Sequence, residues 1–87
     1  MKNKPVNEMR LEFNSKSINE GFARYAVSAF VAQLDPTVEE LSDLRCAVSE
    51  AVTNAIIHGY RDTPGTVYIT CKYYEDRTVK IKVTDKG

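Results

Sequence analysis

Ser49-Glu50-Ala51-Val52-Thr53-Asn54-Ala55-Ile56-Ile57-His58-Gly59-Tyr60 is the segment on which the architecture of this chain turns. Read as a helix, at about 100° per residue, it places Glu50, Asn54 and His58 four apart. Each step of four drifts by only ~40°, so the three form one polar line. Leu41, Leu44, Val48, Val52 and Ala55 fall on roughly the opposite side as an apolar stripe. A carboxylate, a carboxamide and an imidazole among Ala, Val, Thr and Ile predict a helix buried on one side and lining a pocket on the other. A carboxylate can take a proton from an attacking hydroxyl or water. A carboxamide oxygen is a neutral hard ligand suited to Mg²⁺, which keeps waters and phosphate oxygens in its shell. The bland alternative is a solvated Glu, a locally bonded Asn and a His favoured at a helix C-terminus by the dipole.

Working outward, Thr37 with Glu40 forms a capping box, so the central helix is expected from 37 to about 57 or 58, with Gly59 as its stop. Before it, Ser17 with Glu20 has the same spacing and predicts the start of a first helix. Ala23, Val27, Phe30 and Leu34 recur at helical intervals there, and Phe22, Ala26 and Ala29 broaden the stripe. Asp35-Pro36 ends that helix, because the residue before Pro avoids the right-handed helical region. The near-direct connection predicts an antiparallel or sharply angled helix pair.

The flanks alternate with period two. Met9, Leu11 and Phe13 give a first strand over 9–13. Val67, Ile69, Cys71 and Tyr73 alternate against Tyr68, Thr70, Lys72 and Tyr74 over 66–74, after a Pro64-Gly65 turn. Glu75-Asp76-Arg77 then connects a hairpin, without the favoured Gly or Asn, to Val79, Ile81 and Val83. Strand, helix, helix, strand, strand is an α+β arrangement: one sheet face covered by two helices, the other polar. The closing antiparallel hairpin argues against a doubly wound fold, which needs crossovers.

Composition narrows the function. The 87 residues make at most one small domain, with 12 Lys plus Arg against 12 Asp plus Glu and zero formal net charge. No basic excess supports direct DNA binding. No apolar run approaches the ~18 residues of a membrane span, and no signal-peptide core is present, so the chain reads as cytoplasmic. Cys46 and Cys71 are isolated and are expected as buried, reduced thiols. Scattered tyrosines in a neutral chain are expected in core and edge packing, not in base stacking.

Glu-x-x-x-Asn-Ala followed by His-Gly resembles the N-box of the GHKL superfamily of ATP-binding domains, which includes gyrase and histidine-kinase types. More closely, VSEAVTNAIIHGY with FVAQLDPTVEEL upstream is similar to the anti-sigma F family of serine kinases from spore-forming bacteria, from about Met9 to the end of the chain. Histidine kinases usually place Asn where this chain has Glu50. The resemblance implies a two-layer α/β sandwich of Bergerat type. It implies Mg²⁺ and ATP or ADP as ligands, Glu50 as the general base, Asn54 as the Mg²⁺ ligand, and His58 and Gly59 at the pocket wall. Thr84-Asp85-Lys86-Gly87 resembles the opening of the Asp-x-Gly-x-Gly motif. In that family Asp85 would accept from the adenine amino group, and Gly87 would allow close backbone approach. Arg24, in GFAR after the first capping signal, corresponds to an arginine that contacts both protein partners in the anti-sigma F family.

The implied function is that of an anti-sigma factor. It would bind a sporulation sigma factor and phosphorylate a serine of an anti-anti-sigma protein, as a homodimer. The chain is expected to be the N-terminal part of one such domain, with the second motif cut short at Gly87 and the sheet incomplete at its C-terminal end. A non-catalytic partner-binding module and another GHKL ATPase stay open as alternatives.

Overall fold

A computed structural model describes residues 4–59 and 63–86. Strand β1 (Asn7–Asn14) leads through a short turn into helix α1 (Asn19–Val31). A single 3₁₀ turn (Ala32–Leu34) and three linker residues precede helix α2 (Val38–Asn54), which widens into a π-helical turn (Ala55–Gly59). Strands β2 (Thr66–Tyr73) and β3 (Val79–Thr84) close the order.

The sheet is an antiparallel meander, β1-β2-β3, with both helices on one face. Its register aligns the apolar rows Met9-Cys71-Ile81 and Leu11-Ile69-Val83 across the three strands, and sets Phe13 opposite Val67. A one-residue slip would turn each of these rows to solvent, so burial of one face fixes the pairing. Val67, Ile69 and Cys71 are fully or almost fully buried under Ala23 and Val27 of α1 and Val52 of α2. Each such aliphatic contributes about 1.5–3 kcal/mol of transfer free energy. The outer face carries the expected polar rows, with Arg10, Thr70 and Lys82 in one and Glu8, Lys72 and Lys80 in the next. The α+β architecture of two helices over one face of an antiparallel sheet is as the alternation implied.

Local chemistry meets expectation at one capping box and departs from it at the other. The capping box at Thr37 forms: Glu40 N–H donates to Thr37 Oγ1 at 3.0 Å, and Thr37 N–H donates to Glu40 Oε1 at 2.8 Å. The one expected at Ser17 does not. Helix α1 starts at Asn19 with Ile18 as a cap that makes no side-chain bond, and Glu20 turns its carboxylate to Arg24 instead. Asn19 ties this entry to the sheet by donating from Nδ2 to the Asn14 carbonyl at 2.9 Å.

The apolar stripe of α1 is also narrower than expected. Phe22 is 51 % exposed and Ala29 is exposed, because the sheet reaches only the Ala23, Val27 and Phe30 side.

The connections absorb the remaining strain. Asp35 takes a left-handed conformation (φ 53°), which stops the helix ahead of Pro36, and Asp tolerates this region better than most residues. In the β2–β3 hairpin Arg77 occupies the left-handed position (φ 71°) where Gly or Asn is favoured. Its N–H donates to the Tyr74 carbonyl at 2.9 Å, and its Nη1 donates to the Leu34 carbonyl at 2.6 Å. At that same end Tyr73 Oη donates to Gln33 Oε1 at 2.6 Å, and the Tyr73 ring packs on Phe30 with centroids 5.3 Å apart.

Cys46 corrects the thiol expectation. It is exposed, because it lies off the Leu44-Val48-Val52 stripe, whereas Cys71 is buried in the sheet.

Candidate functional site

The topology gathers the chemistry-bearing residues at one end of the sheet. β1 ends at Asn14 opposite Thr66, where β2 begins, and β3 ends with Thr84 opposite Tyr68. The turn into α1 leaves from this end, and α2 returns to it before β2 starts. Ser15 and Gly65 lock the two connections together. Ser15 N–H donates to the Gly65 carbonyl at 2.9 Å, and Gly65 N–H donates to Ser15 Oγ at 2.9 Å. Asn54, His58 and Asp85 therefore share an end with the first turns of α1.

The polar line of α2 stands where the sequence placed it, opposite the buried stripe. Val48, Val52, Ala55 and Ile56 face the core, while Glu50, Asn54 and His58 are exposed. The helix does not continue as α to 58, however. Four α-helical residues overshoot a full turn by ~40°. The wider i→i+5 turn from Ala55 to Gly59 reduces that overshoot. Asn54 thus sits at the C-terminal end of α2, whose dipole favours a cation. A carboxamide oxygen at that place fits a Mg²⁺ ion completed by waters and phosphate oxygens. Among the described residues no group of three or more His, Cys, Asp or Glu could hold a metal by itself.

The expected pocket is only partly present. Glu50 lines a groove of about 530 Å³ between the helices, together with Arg24, Ser42, Arg45, Cys46 and Ser49. Asn54 and His58 are exposed and are not among the residues that line this groove. Arg24 and Glu50, read from the sequence for unrelated roles, come to share one cleft. Asp85 follows β3 and is half-buried. Gly59 closes the π turn, and Gly87 lies outside the described residues.

The groove is braced across both helices. Arg24 Nε donates to Glu20 Oε2 at 2.9 Å, one turn apart on α1. A hydrogen bond from Ser49 on α2, with Arg24 beside it, holds the Glu20 carboxyl below its ordinary value. The same carboxylate raises the Arg24 guanidinium further, so both stay charged. The Arg24 guanidinium also lies 5.5 Å from the centroid of the exposed Tyr25 ring.

The sequence reading assigns Ser42, Arg45 and Ser49 no role, and Cys46 only that of a buried thiol. Their signal was there: spacings of three and four put them on one helical line, free of the bulky apolar residues of the core stripe. Such a line reads equally as ordinary solvated surface until α1 is placed across from it. No described helix is long and apolar enough to cross a membrane.

Residues 13–87 match the histidine kinase-like ATPase domain family. The chain is 62% identical over 82 residues to the anti-sigma F factor of Clostridium perfringens, 56% over 82 residues to that of Heyndrickxia coagulans, and 53% over 81 residues to that of Geobacillus thermodenitrificans. Each match covers 93% of this chain. The chain spans a little over half the length of these curated relatives, 58% of the first and 56% of the other two. With the fold, the helix-borne Glu-x-x-x-Asn line and the extent of the match in agreement, the chain belongs to the histidine kinase-like ATPase domain family.

Proposed function

We propose that this chain is part of an anti-sigma factor that binds a sigma factor and phosphorylates a serine of an anti-anti-sigma protein with Mg-ATP. The observation that carries the reading is the groove shared by Glu50 and Arg24. A carboxylate beside a guanidinium on one surface supports a kinase that acts on a protein. Glu50 accepts the proton of the serine hydroxyl as its oxygen bonds to the γ-phosphorus and the bond to the leaving ADP oxygen breaks. Asn54 would hold Mg²⁺, which would neutralise charge on the phosphate oxygens. Asp85 accepts from the adenine amino group, Gly87 admits the nucleotide closely, and His58 and Gly59 form the near wall. Arg24 contacts both protein partners.

In this reading the protein is a cytoplasmic homodimer, the 87 residues are the first part of a single domain, and DNA is not a direct ligand. Calorimetric titration with Mg-ADP tests the nucleotide half; saturable binding is the expected result. Transfer of labelled γ-phosphate to the anti-anti-sigma protein tests the chemistry. Glu50→Gln should lower transfer by about 10²–10⁴ and leave Mg-ADP affinity unchanged. Undiminished transfer would remove Glu50 from the mechanism.

A partner-binding module without phosphotransfer is the second reading, and the exposure of both Asn54 and His58 favours it. Partner binding with no Mg-ADP binding in the same folded chain would select it.

A further inference from the structure

The chain is neutral overall but not evenly charged. Helix α2 carries Glu39, Glu40, Asp43 and Glu50 against one arginine, whereas the cations of the sheet gather on its outer face. A groove of about 730 Å³ there is lined from all three strands. Arg10, Lys72, Lys80 and Lys82 line it with one carboxylate, Glu8, so four positive charges meet a single negative one. Glu8 is already engaged, 3.3 Å from Arg10. Glu12, the other carboxylate of the outer rows, stands opposite Tyr68 and does not line the groove. Lys72, half-buried in the middle strand, has Lys80 directly opposite on β3. Like charges so paired destabilise a sheet. Among the described residues, none of the three lysines makes an ion pair.

We propose that this groove binds a linear inorganic polyphosphate, with Lys72, Lys80 and Lys82 on its oxygens. Ammonium groups on flexible stems act as point charges suited to phosphate oxygens, whereas a planar carboxylate is best held by a guanidinium fork. The guanidinium of the groove, Arg10, has Glu8 beside it. The lysines also occupy two adjacent rows, Lys72 with Lys80 and then Lys82 two residues along β3. Same-face neighbours on a strand lie about 6.5 Å apart, so one phosphate serves one row and a chain of phosphates serves both. Thr70, between Arg10 and Lys82, adds a hydroxyl to the second row. The ring of the groove, Tyr74, already carries the Lys80 ammonium 5.5 Å from its centroid, which favours phosphates over a stacked base. A bound polyanion offsets the repulsion between Lys72 and Lys80. The site lies on the opposite face of the sheet from α2, and so from Glu50 and Asn54.

Calorimetric titration of the 87-residue chain with sodium tripolyphosphate in magnesium-free buffer tests the site, with thermal unfolding as the folding control. Saturable binding at one per chain is expected, with inorganic phosphate at least tenfold weaker. The double variant Lys80→Gln/Lys82→Gln should lose about tenfold or more in affinity. Lys16→Gln, in the turn before α1, should bind as the unsubstituted chain does. Tripolyphosphate should raise the unfolding temperature of the unsubstituted chain and not that of the double variant. Absence of saturable binding, or an equal loss in Lys16→Gln, overturns the inference. So does a hexaglutamate peptide that binds as tightly as tripolyphosphate, because the face would then take an acidic protein segment. Displacement of tripolyphosphate by ADP, with affinity unaltered in the double variant, puts the anion at the nucleotide site and overturns it too. Each of these outcomes leaves the anti-sigma reading standing.

Discussion

Glu20 and Arg24 form an ion pair at 2.9 Å that reaches beyond its own helix, because the same carboxylate also accepts from Ser49 on α2. Where a capping box was expected, the glutamate instead ties the two helices beside the groove. The Glu20 carboxyl has a lowered value in the folded chain, so the charged form is favoured by folding. Its contribution is complete above the ordinary value of 4.5 and is lost as pH falls through the lowered one. Thermal unfolding of the unsubstituted chain and of Glu20→Gln, followed from pH 7 downward, should show a gap at neutral pH that closes in acid. A gap that persists unchanged in acid would mean that the charge of Glu20 contributes nothing.

Asn54→Ala should lower affinity for Mg-ADP by about tenfold or more, while affinity for metal-free ADP changes little. Calorimetry with and without a chelator makes the comparison. Equal losses in both conditions would assign Asn54 a structural role at the end of α2.

The hairpin offers a cleaner energetic test. Arg77→Ala and Arg77→Gly both lose the bond to the Leu34 carbonyl, yet only glycine relieves the left-handed backbone. The glycine variant should be the more stable of the two by roughly 0.5–1 kcal/mol in urea denaturation. Equal midpoints would show that the φ of Arg77 carries no strain.

The two cysteines should separate by reactivity. Burial pushes the Cys71 thiol up to about 11, and it is packed inside the sheet, whereas Cys46 stands exposed at the groove. A disulfide reagent at pH 8 should titrate one thiol per native chain and the second only after denaturant is added. Two fast thiols would contradict the sheet packing.

What could be read in the sequence follows from which signals have a single physical meaning. The strands were legible because one face is buried, so Leu11, Ile69 and Val83 had to share a parity. The Thr37–Glu40 box was legible for a similar reason, since nothing else competes for either side chain. The identical Ser17–Glu20 spacing failed because Arg24 and Ser49 hold the glutamate, and both lie outside the motif. The π turn was hidden, since Ala55 and Ile56 are apolar in either helix type. Of the site, the Glu50-Asn54-His58 line was visible from spacing, and its residue roles came from resemblance. The meeting of Arg24 with Glu50 depends on the packing of α1 against α2, which neither helix encodes alone.

The pairing of β1 with β2 has a consequence for synthesis. Asn14 meets Thr66 and Asn7 meets Tyr73, so the first strand cannot be hydrogen-bonded until the chain has grown through both helices and the strand after them. The ribosome makes about 5–20 residues per second, so some 59 further residues hold β1 waiting for roughly 3–12 s. Through that interval Met9, Leu11 and Phe13 have no sheet to enter. The helix pair, whose contacts are local, can form first, and β2 then arrives as the strand that draws the N-terminus in.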